Sequence, residues 1–470
     1  MTHTTLDFYG ADGRPTGPSQ LARLGRRSVT SSLIPHHGNG ESKHDFARPQ
    51  RRDRPPRHEA QRPGARQESL REANLLLLTE EIFASAEPLS RADLSIRTGM
   101  TRSTVSRLVD DLLAAGIIRE GSPMVGGARG RPAVPLSPAR RTLVGLGLEV
   151  NVDFMAARAL DLTGEVLAER IVDGDYRDSA PELVLAEAVR LAGEVTAEVT
   201  GAGARLVGTV LALPGLIAAD ARTVLFAPNL RWRGVDVVGI LRACADRADS
   251  FGGFITVVNE AKLAALAVAQ ELTSADGREQ TFLYISAQMG IGSAVVVDGV
   301  VETGAHGWAG ELGHISVEPS GPECRCGSSG CLEVYAGKHS ILQAAGLQPG
   351  AEGSRQLSEL IALTEWDNPA GGQAVEAIER AGWALGVALS VAMNIVDVHD
   401  VVLGGEFAPL TDLLRPRIED QLQRRVLSAD FAHFRVRESA TGLAPATTGG
   451  ALRALRAVVD APQDWVPAEA

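Results

Sequence analysis

Residues 311–333 read ELGHISVEPSGPECRCGSSGCLE and hold three of the chain's four cysteines, Cys324, Cys326 and Cys331, with His314 ten residues before the first. Three thiols and an imidazole are the soft and borderline donors that tetrahedral zinc takes. A Cys3His set with no spare position suits a closed, structural zinc site. Gly327 and Gly330 allow the tight turns that would bring Cys326 and Cys331 onto one ion. Free cysteine is also a common core residue, but this chain uses cysteine only once elsewhere, at Cys244. Clustering beside a histidine therefore favours a metal. A disulfide would leave one thiol over.

The same stretch carries two carboxylates, Glu311 and Glu333. Folding the thiols onto one ion brings both close to His314. Fixed carboxylates and an imidazole suit hydrogen bonding to a polyhydroxylated ligand. ELGH followed by CRCGSSGCLE resembles the signature of the ROK family of repressors, uncharacterised open reading frames and sugar kinases, and the resemblance runs from about Glu68 to the C-terminal region. It implies an α/β chain in which a winged helix-turn-helix precedes a two-lobed, actin-like (ribonuclease-H-like) domain. The first lobe is expected over 141–258, completed by about 435–460, and the second over 259–434 with the zinc loop.

Composition sets the outer bounds. With 470 residues and 44% apolar composition the chain can bury more than one core. No run of eighteen apolar residues offers a membrane span, and the N-terminus lacks a secretory pattern. Scarce, clustered cysteine fits reducing cytoplasm. The net charge of −12 excludes a uniformly basic surface, yet residues 1–67 contain twelve Lys or Arg against six Asp or Glu. Rich in Pro, Gly and His as well, they are expected to form a disordered basic extension.

Amphipathic helices begin at Glu68. Leu75, Leu78, Ile82 and Phe83 share one face of a first helix. Ser90 is placed to cap a second, with Leu94 and Ile96 turned inward, and Thr101 a third, with Val105, Leu108, Val109 and Leu112 buried. The spacing around Gly99 is that of a helix-turn-helix. The third helix then presents Arg102, Ser103, Thr104, Ser106 and Arg107 to operator DNA, where a recognition helix enters the major groove. A glycine-rich wing at 126–132 adds Arg129 and Arg131. The domain is expected to span 68–136, with PAVPLSPAR (132–140) as a hinge.

The body opens with two strand-like runs joined at Asn151–Asp153. In ROK kinases the matching turn is Asp-x-Gly-Gly-Thr and holds ATP phosphates; here it reads Glu149, Val150, Asn151, Val152, Asp153. A second kinase loop, Gly-Thr-Gly-x-Gly, appears as Gln288, Met289, Gly290, Ile291, Gly292. Both have lost features that phosphoryl transfer needs. The sugar side is better kept, at Pro214, Gly215 and Asn229. Asn259 is followed by Glu260, where the resemblance places a catalytic aspartate; the added methylene displaces the carboxylate. Asn259 also suits a helix cap. Gly404 and Gly405, which underlie adenine in the kinases, read here as retained architecture.

Together these features lead to one expectation. The chain is a cytoplasmic, homodimeric, sugar-responsive regulator, most simply a repressor, that binds a sugar or amino sugar through Asn259, Glu260, Glu311, His314 and Glu333. Zinc is held by His314, Cys324, Cys326 and Cys331. The alternative is an ATP-dependent sugar kinase of the same family.

Overall fold

The computed structural model describes residues 63–122 and 134–466, apart from 246, 248–249, 277–279, 288–289 and 349–352. The head consists of α1 (Pro63–Ala84), β1 (Leu89–Ser90), α2 (Arg91–Thr98), α3 (Arg102–Ala114), β2 (Ile118–Glu120) and β3 (Pro135–Pro138). Ser90 and Asp93 form a reciprocal capping box at the start of α2, and the Thr101 side chain accepts from the Thr104 amide at the start of α3. Two amide groups at the start of α2 and one at the start of α3 are thereby satisfied from the sequence itself. Leu75, Leu78, Ile82, Leu94, Val105, Leu108, Val109 and Leu112 are buried as expected. Ile96 is not: it is 81% exposed, because a residue two beyond Leu94 lies on the far side of the helix.

Two boundaries of the head also differ from expectation. Helix α1 begins at Pro63 rather than at residue 68. The stretch read as a hinge instead supplies β3, which lies between β1 and β2 in a three-stranded sheet. Its two prolines stand at the strand's ends, where loss of an amide donor is tolerated. The wing tip, with Arg129 and Arg131, and residues 1–62 lie outside the described residues.

The first lobe contains β4 (Leu143–Val150), β5 (Phe154–Asp161), β6 (Val166–Asp173), α4 (Pro181–Gly201), β7 (Arg205–Leu213), β8 (Leu216–Ile217), β9 (Thr223–Ala227), β10 (Trp232–Asp236), α5 (Val237–Cys244) and β11 (Ile255–Asn259). Its main sheet has the order β11-β7-β4-β5-β6, while β8, β9 and β10 form a small sheet of their own. Helix α6 (Glu260–Asp276) then leads to β12 (Phe282–Ala287), β13 (Ile291–Val297) and β14 (Val300–Glu302). After the cysteine loop come α7 (Glu333–Ala336), α8 (Lys338–Ala344), α9 (Gly353–Thr364), α10 (Pro369–Val396), β15 (Asp400–Gly405), α11 (Thr411–Arg425), β16 (Arg435–Glu438) and α12 (Pro445–Asp460).

The second sheet runs β14-β13-β12-β15-β16. In both sheets an antiparallel meander of three strands is extended by two parallel strands beside its first member. One topology used twice, with the lobes joined by α6, is the duplicated architecture of an actin-like fold. Strand β16 belongs to the second sheet, and Val436 to its core, so the second lobe continues past residue 434. After β16, α12 returns to the first lobe, packing on β4, β7 and α6.

Head and first lobe share one hydrophobic cluster. Leu75, Leu78 and Leu108 of the head belong with Leu143, Leu160 and Val207 of the first lobe and Leu455 and Val458 of α12. Helix α1 packs directly on α12. The head is thus continuous with the lobe on which it stands.

Candidate functional site

The cysteine loop is shaped by close backbone approaches. The Cys324 amide donates to the Ser328 carbonyl at 2.7 Å and the Gly327 amide to the Cys324 carbonyl at 2.9 Å. Gly330 adopts φ +68°, and a Cβ there would stand 1.7 Å from the Glu318 carbonyl oxygen; no other residue fits. Cys331 and Ser316 then pair as an isolated bridge, placing the last thiol beneath the first part of the loop.

Ligand atoms of His314, Cys324, Cys326 and Cys331 all lie within 4.8 Å of one another. His314 Nδ1 is 3.9 Å from Cys324 Sγ, and Cys326 Sγ is 3.7 Å from Cys331 Sγ. Ligands on a tetrahedral zinc with bonds of ~2.3 Å stand roughly 3.8 Å apart, so the donor set fits that ion. Burial pushes the Cys324 thiol up to about 12 and raises Cys331, which keeps these thiols protonated unless a cation displaces the protons. With Nδ1 on the metal side, Nε2 of His314 is left for the cleft.

That cleft lies between the lobes. Asn151, Asn229, Asn259 and Glu260 reach it from the first lobe and α6; Glu311, His314 and Glu333 reach it from the second. All five residues expected to hold the sugar thus line one cleft, as do Pro214, Gly215 and Gly290. Glu333 Oε2 accepts from the Ile291 amide at 3.3 Å. Asn259 caps α6 by accepting from the Lys262 amide at 3.2 Å, and its Nδ2 donates to the Gly215 carbonyl at 3.2 Å. The capping role is therefore present, together with a tether to the loop at 214–215.

Burial dominates the electrostatics. It raises Glu311 and Glu333 above the ordinary carboxylate range and pushes Glu260 up to about 8. Glu260 Oε2 is solvent-inaccessible and has no hydrogen-bond partner among the described residues. A buried acceptor without a donor is costly and is satisfied when a hydroxyl enters.

Two features were not singled out from sequence. Ser286 and Ser293 add hydroxyls to the cleft lining, and Lys262 is buried beneath it, donating to the Gly307 carbonyl. Lys262 lies one helical turn after Asn259, a spacing that puts both on one face of α6.

The phosphate side is differently built. Asn151 Oδ1 accepts from the Val152 amide at 2.8 Å, so a backbone donor of the turn is already engaged. Gly404 has a packing reason of its own: a Cβ there would meet the Tyr284 hydroxyl at 2.4 Å. Gln288 and Met289 lie outside the described residues.

Residues 146–456 match the ROK family profile. The chain belongs to the ROK family. Residues 81–121 match the IclR helix-turn-helix domain, in register with the head's capped helices. Among curated ROK relatives, the xylose repressor of Bacillus spizizenii is 26% identical over 363 residues, covering 77% of this chain and 89% of that protein. The DNA-binding transcriptional dual regulator NagC of Escherichia coli K12 is 25% identical over 347 residues, covering 73% and 82%. A solved ROK family transcriptional regulator, a homologue of the E. coli MLC protein, aligns over 83% of this chain and 97% of its own at 25% identity, with a TM-score of 0.65. A Streptomyces griseus ROK glucokinase shares the fold at 21% identity and a TM-score of 0.55, over 67% of this chain and 99% of its own.

On the head, Arg102, Ser103 and Arg107 are exposed, and Thr104 and Ser106 are half-buried along the same edge of α3. Ser103 and Thr104 hydroxyls lie 3.0 and 2.9 Å from that of Thr101. The cap thereby holds together the polar start of the helix.

Proposed function

We propose that this ROK protein is a transcriptional repressor that binds operator DNA through α3 and releases it when a sugar occupies the cleft. The observation that carries this reading is the hydrophobic core shared by the head and the first lobe. Closure of the second lobe over a sugar would then shift DNA affinity through different affinities of the open and closed states for DNA, the shared core connecting the two binding surfaces. Asn259, Glu260, Glu311, His314 and Glu333 would hold sugar hydroxyls, and the buried oxygen of Glu260 would gain a donor. Arg102, Ser103, Thr104, Ser106 and Arg107 would contact DNA, aided by Arg129 and Arg131 of the wing.

Zinc on His314, Cys324, Cys326 and Cys331 would fix the loop between Glu311 and Glu333 and hold the thiols as thiolates. A homodimer suits paired half-sites, and the cytoplasm suits both the reduced thiols and the DNA partner. Against the kinase alternative stand the Val152 amide, already bonded within its own turn, and Glu260 in place of a catalytic aspartate. Among the described residues no helix is long and apolar enough to cross a membrane.

The test is fluorescence anisotropy of the zinc-loaded full chain on duplex from its own upstream region, titrated with D-xylose, D-glucose and N-acetyl-D-glucosamine. The expected result is duplex binding that one sugar weakens. No binding to any segment of that region, or sugar-stimulated ATP turnover approaching ~1 per second, would overturn the reading.

A further inference from the structure

Beyond Asn151 and Val152, the end of the cleft holds an ion cluster with no part in the sugar reading. Lys338, the first residue of α8, is only 5% exposed. Its ammonium donates to Glu406 Oε1 at 2.7 Å and stands 3.5 Å from Asp153 Oδ2. Glu406 follows β15 and belongs to the second lobe; Asp153 lies in the turn between β4 and β5 of the first. One buried cation therefore serves carboxylates on opposite sides of the cleft. The other Asp153 oxygen, Oδ1, is buried without a hydrogen-bond partner among the described residues. Nearby Arg177 is bound to Asp175 at 2.8 Å.

We propose that Lys338 is a latch between the lobes. It would set how far the cleft opens without sugar and, on the repressor reading above, the sugar concentration at which DNA is released. A buried ammonium needs a partner, and breaking its last one is severely destabilising. Glu406 meets that need in the lysine's own lobe whether the cleft is open or closed. Asp153 can contribute only when the lobes approach, so its pairing favours closure without forbidding opening. Asp153 thus favours closure, while Glu406 keeps the lysine partnered when the cleft opens. The latch stands at the end of the cleft where kinases of this family hold phosphate, and it places an internal cation there.

Hydrogen–deuterium exchange of the sugar-free, zinc-loaded full chain separates the two carboxylates. Asp153→Asn leaves Lys338 bonded to Glu406 and should speed exchange in segments 150–153 and 333–340 by about threefold to tenfold. Asp153→Ser should do the same, and Asp153→Glu, which keeps the charge, should largely restore the parent rate. Glu406→Gln should leave these segments unchanged or slower. Parent-like exchange in both Asp153 variants, or equal acceleration in Glu406→Gln, would overturn the latch. In DNA release by whichever of D-xylose, D-glucose and N-acetyl-D-glucosamine acts on the parent, Asp153→Asn should raise the midpoint by a similar factor; an unchanged midpoint would overturn the latch's control of release. The exchange measurement needs no sugar, so failure of all three sugars on the parent would count against the repressor reading alone.

Discussion

Glu260→Gln tests the cleft's electrostatics through stability. In the unfolded chain this carboxyl ionises near 4.5; in the folded protein burial pushes it up to about 8, with Glu311 and Glu149 acting in the same direction. Between those values the unfolded state has lost a proton that the folded state still holds. The contribution of this group is therefore most favourable below about pH 4.5 and declines until about pH 8. The window of ~3.5 pH units, at ~1.4 kcal/mol each, sets an upper bound of about 5 kcal/mol at pH 8. Oε2 is inaccessible, but the residue's flank lines the cleft and is half-buried. Water there screens part of the penalty, leaving roughly 2–3 kcal/mol. Glutamine keeps the shape without the titration, so at pH 8.5 the variant should melt roughly 2–4 °C above the parent. At pH 5 the two should nearly coincide. Scanning calorimetry of sugar-free protein at pH 5, 6.5 and 8.5 reads this directly. A difference in Tm that does not grow with pH would refute the burial argument. Above pH 8, where the ionised carboxylate only accepts, the same variant should bind sugar more weakly, because an acceptor has been replaced by a donor-bearing amide.

Three further outcomes follow from other parts of the molecule. Cys326→Ser should lower bound zinc, read by elemental mass spectrometry, and thermal stability together; unchanged metal stoichiometry would remove the zinc assignment. Arg102→Ala should weaken binding to upstream duplex by about 1–3 kcal/mol if it reads a base, or reduce the salt slope by about 1 if it meets a phosphate. Sugar binding, followed by calorimetry, should be unchanged, and an anisotropy titration indistinguishable from the parent would count against the groove assignment. Leu455→Ala, in the core between the head and the first lobe, should cost about 2–5 kcal/mol of stability. It should also reduce the effect of sugar on DNA affinity; full coupling with a loosened core would contradict transmission through α12.

What was legible in the sequence was whatever local chemistry decides. Ser90 and Thr101 could be placed as caps because a cap is a relation between residues three positions apart. The zinc donors and Gly330 could be read because the whole loop lies within one short stretch. Ile96 misled because an apolar residue on a helix of eight residues carries no face of its own; only its distance from Leu94 around the helix decides. The prolines in 132–140 suggested a hinge, whereas their positions at the ends of a strand allow Leu136 to pair with both Leu89 and Glu120. Strand β16 was assigned to the wrong lobe because four residues, RVRE, carry no record of the sheet they join. That choice is made by Val436 pairing with Val401.

Lys338 marks the limit of such reading. Its neighbours in sequence, Gly337 and His339, say nothing of a buried charge, and its partners lie 68 residues away at Glu406 and on the opposite lobe at Asp153. A lysine at the exposed start of a helix is ordinarily a solvated side chain; here two lobes built to one topology close around it. The repeated sheet order β11-β7-β4-β5-β6 and β16-β15-β12-β13-β14 brings the β4–β5 turn of one lobe opposite the end of β15 in the other. Catalytic kinases of this fold need that junction for phosphate. In this chain the duplicated scaffold brings carboxylates from both lobes to the same junction, and a cation between them is what makes the arrangement stable. If the latch holds, the sensitivity of this repressor is set at the end of the cleft away from the zinc loop. Changes at Asp153 or Glu406 could then retune the response without touching a residue that contacts sugar or DNA.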